Sequence, residues 1–217
     1  MLTDGEMARL EALAQEHGIS LIIDNAYGMP FSNIIYSDVT LNWHENIILC
    51  FSLSKICLPG VRTGKVVKAV SSLNAIVNLS PTRFGAAIAT PLLRDGRLKQ
   101  FSDDVIRPFY RNQAQTAVSL LKRELGAYPL KIHKPEGAIF LWLWFENLPV
   151  SSQTLYEMLK AEGTLIIPGE HFFVGIDTQD YPHARECIRM SIAQDAETLE
   201  KGIAAIGKVV RGLYDAA

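Results

Sequence analysis

With 217 residues, 48% hydrophobic and 20% charged, the chain can bury the core of one large or two modest domains, which excludes a disordered or low-complexity reading. Lysine and arginine total 21 against 23 aspartate and glutamate, and the formal charge of -2 gives no general attraction to nucleic acid or to an anionic membrane. A small-molecule partner is the default. The three cysteines, Cys50, Cys57 and Cys187, sit in apolar stretches without C-x-x-C spacing, so they read as buried thiols of a reducing cytosol and not as a metal or redox set. No run approaches the roughly 18 apolar residues of a membrane span, and the first residues lack a charged leader before an apolar core. A cytoplasmic location is expected.

Taken in chain order, Thr3-Asp4-Gly5-Glu6 is a capping box that predicts a helix from the outset, with Leu10, Leu13 and Ala14 on one face and Gly18 ending it. Ser20 to Asp24 and Ile47 to Phe51 are short apolar runs, and Val61 to Val67 is a third; runs without alternation suit a parallel sheet covered on both faces. From Ser71 to about Ala127 the pattern is helical, with Pro81 and Pro108 as starts or kinks and a long segment from Tyr110 to Leu125. Strands follow at Leu130 to His133 and Ala138 to Phe145, a helix at Ser152 to Glu162, short strands near Thr164 to Ile167 and Glu186 to Ile192, and a closing helix at Ala196 to Leu213. This is a separate α+β layer. The expected division is 1–115 and 116–217, inside the long helical segment, because no Gly/Ser linker marks a boundary.

Polar residues cluster where the apolar strands end, and open α/β sheets bind ligands at such ends. Asp24 follows Leu21-Ile22-Ile23, with Tyr27 three residues on. Ser52-Leu53-Ser54-Lys55 follows Ile47-Ile48-Leu49-Cys50-Phe51, and Pro59-Gly60-Val61-Arg62-Thr63-Gly64 comes next. A lone Asp after three aliphatics could equally be the magnesium strand of a nucleotide hydrolase. Gly60-Val61-Arg62-Thr63-Gly64-Lys65-Val66 is no phosphate loop, however, since only three residues separate its glycines and no Ser or Thr follows the lysine.

In this order, Asp-x-x-Tyr, Ser-x-Ser-Lys and Pro-Gly-x-Arg-x-Gly resemble the signature of the class I/II aminotransferases, over essentially the whole chain. The resemblance implies an α/β fold of the pyridoxal-phosphate-dependent transferase type: part of an aspartate aminotransferase-like large domain, then an α+β carboxy-terminal small domain. It implies pyridoxal 5'-phosphate as cofactor, with Asp24 beside the ring nitrogen and Tyr27 on the ring oxygen. Ser52, Ser54 and Arg62 would serve the phosphate. Lys55 would hold the cofactor as a Schiff base and then act as general base. The family commonly has one residue more between this lysine and arginine than the step from Lys55 to Arg62. Arg189, in Cys187-Ile188-Arg189-Met190-Ser191-Ile192, matches the family residue that grips the substrate α-carboxylate. On a strand it points opposite to Ile188 and Met190. The Gly137-Ala138-Ile139-Phe140 turn resembles the segment bordering the substrate pocket.

The implied reaction is transamination between a neutral amino acid such as valine or alanine and pyruvate or 2-oxoisovalerate. No second arginine is placed for a dicarboxylate. The five histidines lack ligand spacing, so no metal is expected; His171 reads as a loop residue, and Trp142 and Trp144 as core. Family members are about twice this long and homodimeric. The other half normally carries the glycine-rich phosphate turn, the aromatic that stacks on the ring and an asparagine at the ring oxygen. The chain by itself is therefore expected to bind cofactor poorly and turn over slowly. The alternative is a catalytically inactive fragment or a non-enzymatic aminotransferase-like ligand-binding or assembly domain, against which stands the retained Lys55.

Overall fold

The structure is a computed structural model that describes residues 3–29, 33–36, 40, 45–56, 83–178 and 180–217, with backbone alone for 56 and 83–86. Its contacts divide the chain into two compact units, Met1–Pro108 and Phe109–Ala217.

In the first unit, helix α1 (Asp4–Glu16) starts as its sequence dictates: Thr3 accepts from the Glu6 N–H while the Glu6 carboxylate accepts from the Thr3 N–H. These bonds hold the Glu6 carboxyl below the usual carboxylate range. Gly18 takes the left-handed conformation (φ 61°) that ends the helix. Strand β1 (Leu21–Asp24) pairs parallel with β2 (Ile47–Cys50), with Leu21 opposite Ile47 and Asp24 opposite Cys50. The two-faced cover expected for this sheet is absent among the described residues. Ile22 is 65% exposed, Ile48 52% and Leu13 of α1 51%, and of the predicted helix face only Ala14 is buried. Cys50 is likewise exposed, not buried. The physical reason is that an apolar side chain is buried only where another element covers it, and a run of aliphatics does not carry its own cover. The third expected strand, Cys57, Pro81 and the 59–64 motif lie outside the described residues.

Beyond them come α2 (Arg83–Arg94), α3 (Arg97–Phe101), a π-type turn (Ser102–Ile106) and α4 (Arg107–Leu125). Gly96 (φ 71°) separates α2 from α3. Pro108 lies just after the π-type stretch inside a run that is helical from Arg97 to Leu125, where a proline removes one backbone hydrogen bond and the wider turn before it accommodates the ring.

The second unit holds a four-stranded antiparallel sheet in the order β3-β4-β6-β5, from Leu130–Ile132, Phe140–Phe145, Cys187–Ser191 and Ile167–Pro168. Alternation along β4 is strict: Leu141, Leu143 and Phe145 are buried, whereas Phe140, Trp142 and Trp144 are half-buried on the other face. The tryptophans are thus not core residues, contrary to the sequence expectation, because the two-residue period sends them opposite to the leucines. The core joins Leu141, Leu143, Phe145 and Ile188 with buried residues of α4 (Ala117, Leu121, Leu125), of α5 (Ser152–Ala161; Leu155, Leu159) and of α7 (Ala196–Asp215; Ile203, Ile206, Val210). Arg211 Nη1 donates to Glu124 Oε2 at 2.8 Å, tying α7 to α4, and Gln113 Nε2 donates to the Gln194 carbonyl at 2.7 Å. A short 3-10 turn (Gly169–Phe172) and α6 (Pro182–Arg185) complete the unit. No helix among the described residues is long and apolar enough to cross a membrane.

Asp195 caps α7, accepting from the Thr198 N–H at 2.9 Å and the Thr198 hydroxyl at 2.6 Å. These bonds hold its carboxyl below the usual range. A depressed folded-state value contributes stability that is present above the unfolded value of about 4 and is lost as pH falls through the folded one. Asp195→Asn should therefore reduce the fall in melting temperature between about pH 5 and pH 3. Parallel melting curves of parent and variant across that range check it; identical acid limbs would contradict it.

Candidate active site

Parallel pairing places the ends of β1 and β2 side by side. The Asn25 N–H donates to the Cys50 carbonyl at 2.8 Å, carrying the ladder one step past both strands. Asp24, the last residue of β1, is exposed, and one of its oxygens accepts from the Ala26 N–H at 3.2 Å, an Asx turn that swings the chain out of the sheet. Asn25 Nδ2 donates to the Met29 carbonyl at 2.6 Å, and the Ile34 N–H donates to the Tyr27 carbonyl at 2.8 Å, closing the loop on itself. Asn33, buried and left-handed at φ 41°, tethers the loop by donating to Asp103 Oδ1 at 2.5 Å. Burial pushes the Asp103 carboxyl up, but the bonds from Lys99 and Asn33 outweigh it and leave it below its ordinary value.

On the other strand, Ser52 Oγ accepts from the Ser54 N–H at 3.2 Å and starts the 3-10 turn Ser54–Ile56. Leu53 plugs that turn into a small cluster with Ala89 and Leu98. Held there, Lys55 is half-buried, and its Nζ lies 5.6 Å from the centroid of the Tyr27 ring. Five of the seven expected site residues thus sit on two adjacent strand ends. Asp24, Ser52 and Ser54 flank the ladder, and Lys55 and Tyr27 meet. Arg62 lies outside the described residues.

Arg189 belongs to the second unit, in the middle of β6, opposite Trp142 on one side and Ile167 on the other. Its guanidinium carbon lies 4.2 Å from the Phe140 ring centroid and 4.6 Å from that of Phe172. Its Nε is buried and has no hydrogen-bond partner among the described residues. An unpartnered buried donor on a permanent cation is uncommon, because the desolvation is uncompensated. The set Phe172, Trp142, Phe173, Tyr181, His183 and Trp144 continues as an aromatic chain, with Trp142 edge-on to Phe172 at 5.3 Å and Trp144 edge-on to His183 at 4.6 Å. Sequence reading put Phe140 in a segment bordering the substrate pocket but missed Phe172 and read Trp142 as core. The alternation Phe140-Leu141-Trp142-Leu143-Trp144 was the available signal, since it puts Phe140 and both tryptophans on the Arg189 face. His171 is an exposed residue of the 3-10 turn, in keeping with its expected place in a loop. Cys187 is buried, and burial pushes its thiol up to about 11, so it is no nucleophile. Among the described residues no group of His, Cys, Asp and Glu could hold a metal ion.

The chain belongs to the class I and II aminotransferase family, whose model matches residues 2–206. The family's cofactor is pyridoxal phosphate, and the fold is that of fold-type I enzymes. Among particular relatives, the chain is 42% identical over 97% of its length to valine–pyruvate aminotransferase of Escherichia coli (strain K12), covering 52% of that protein. A solved structure of valine–pyruvate aminotransferase from Salmonella typhimurium LT2 matches 99% of the chain at 40% identity with TM-score 0.92, over 57% of its own length. A structure from Psychrobacter arcticum 273-4, provisionally assigned as an amino-acid aminotransferase, matches all of the chain at 65% identity with TM-score 0.96, over 51% of its own length. The chain spans about half the length of the relatives it matches.

The orphaned Arg189 Nε has an energetic consequence. A buried donor without a partner costs about 1–3 kcal/mol, partly offset by the stacked rings. Arg189→Met, which keeps the volume and drops the charge, should leave the ligand-free chain as stable as the parent or up to about 1 kcal/mol more stable. Urea unfolding measures this, and a loss of more than about 1 kcal/mol would contradict it.

Proposed function

We infer that this chain carries the cofactor-holding and carboxylate-holding residues of a pyridoxal-phosphate-dependent aminotransferase that exchanges amino groups between a neutral amino acid and a 2-oxo acid. The observation that carries the reading is the adjacency of Asp24 and the Ser52–Lys55 turn at the ends of two paired parallel strands. The donor set answers the cofactor's groups in turn: a carboxylate for a protonated ring nitrogen, an amine for the aldehyde, a phenol for the ring oxygen, and hydroxyls for the phosphate. When bound, pyridoxal phosphate supplies an electron sink for the bonds at the amino acid's α-carbon.

The chain's own residues do the rest. Asp24 keeps a proton on the ring nitrogen by offering it a fixed negative charge. Tyr27 orients the ring. Its ring also faces the Lys55 ammonium, which steers the Nζ. Lys55 would supply the amine that holds the cofactor's aldehyde and the base that takes the proton from the substrate α-carbon. Ser52 and Ser54 offer hydroxyls to the phosphate, and Arg62 is assigned there as well on the strength of the motif. Arg189 grips the α-carboxylate, which would satisfy its unpartnered Nε or the remaining edge of its guanidinium.

Valine or alanine as donor, with pyruvate or 2-oxoisovalerate as acceptor, is supported by the 42% identity to the Escherichia coli enzyme of that name. The apolar rings around Arg189 also suit a neutral side chain. A role in alanine synthesis, a cytoplasmic setting and a homodimer of the whole protein belong to the same reading. So does a domain division near 115, in the long helix α4. The uncovered aliphatic face of β1 and β2 supports a weak cofactor site and slow turnover for the chain taken alone.

Absorbance titration of the purified chain with pyridoxal phosphate should give a lysine-dependent band in the parent that Lys55→Ala lacks. Asp24→Asn should weaken cofactor binding about tenfold or more, the worth of one charge-assisted bond. A band that persists unchanged in Lys55→Ala would overturn the assignment.

A further inference from the structure

Arg189 emerges from the centre of a sheet and must present its guanidinium to a carboxylate in one plane, yet no described carboxylate or carbonyl holds it there. What contacts the guanidinium is aromatic. The rings of Phe140 and Phe172 lie 4.2 and 4.6 Å from its central carbon. We propose that Phe140 and Phe172 are positioning residues that orient the Arg189 guanidinium by stacking, and so set the affinity for the substrate carboxylate. The proposal rests on the reading of Arg189 as the carboxylate grip.

Stacking suits this task better than a salt bridge would. A protein carboxylate would fix the guanidinium but would consume the charge and donors the substrate needs. An aromatic face attracts the cation through its quadrupole, excludes water from the planar faces and leaves the N–H groups at the edge for a bidentate partner.

Each ring is itself anchored. Phe140 opens β4 after a turn in which Ala138 holds φ 66°, a conformation unusual for a residue with a β-carbon. That turn is pinned by the Ile192 N–H donating to the Ile139 carbonyl at 3.0 Å, just beyond the end of Arg189's own strand. Phe172 ends the 3-10 turn that Glu170 ties to helix α5 by accepting from the Ser152 hydroxyl at 3.1 Å, and Trp142 meets its ring edge-on at 5.3 Å. Gly169 permits this turn to sit against β6: a β-carbon there would come within 2.6 Å of the Cys187 carbonyl oxygen. The two rings are thus held by different elements and converge on one side chain.

The test is made on the whole chain labelled with 15N-arginine, following the Nε–Hε resonance of Arg189 while 2-oxoisovalerate is added. Phe140→Leu and Phe172→Leu, which keep an apolar side chain but lose the ring, should each raise the apparent Kd about five- to tenfold. Each should also make the Arg189 side-chain resonance more mobile while backbone resonances of the core strands stay in place. Phe140→Tyr and Phe172→Tyr restore a ring and should bind within about twofold of the parent; they also separate ring loss from any folding defect. Leu variants that bind as the parent does and leave the Arg189 resonance unaltered, while Arg189→Lys abolishes binding, would overturn the stacking role alone. An Arg189→Lys chain that binds as the parent, or a parent whose Arg189 resonance does not respond, would overturn the carboxylate reading beneath it.

Discussion

The candidate site depends on the parallel pairing of two four-residue strands. With Asp24 opposite Cys50, the acid that ends β1 and the Ser52–Lys55 turn that comes after β2 leave the sheet at the same edge. Slipping the register by one residue would turn the side chains of one strand to the other face and separate the carboxylate from the turn. Local chemistry preserves this edge. An Asx turn at Asp24, a serine turn at Ser52 and the buried Leu53 bring the chain out of the sheet twice in defined directions. The tether from Asn33 to Asp103 fixes the far side of the Tyr27 loop.

The second unit solves a different problem, how to keep a cation unpaired on a strand. Alternation separates the two faces of β4 and β6, so that Leu141, Leu143, Ile188 and Met190 bury one side and Arg189 shares the other with aromatic residues. The cost is a desolvated, unpartnered Nε. Sites of this kind are where local rules are broken because a ligand completes them.

Element types and order were largely legible because they rest on local signals. The Thr3–Glu6 box and the apolar run from Phe140 to Phe145 each determine their element through neighbours in sequence. The placement of the candidate residues Asp24, Tyr27, Ser52, Ser54 and Lys55 was legible for the same reason, since they lie at or just past strand ends that the apolar runs announce. Burial was not legible, because it depends on which element covers a face. Ile22, Ile48, Leu13 and Cys50 read as buried and are exposed, and Trp142 and Trp144 read as core and are half-buried on the face of the sheet that carries Arg189. The Asn33–Asp103 bond spans 70 positions, and the meeting of Phe140 and Phe172 at Arg189 joins three elements; no sequence pattern marks such contacts.

The central claim is that Lys55 is the amine the cofactor finds. Borohydride reduction of the chain with bound pyridoxal phosphate, followed by peptide mass mapping, tests it most directly. One reduced adduct is expected, on the peptide containing Lys55, at cofactor concentrations that leave the other lysines unlabelled. Adducts spread over exposed lysines such as Lys134 and Lys201, with Lys55 unmodified, would contradict it.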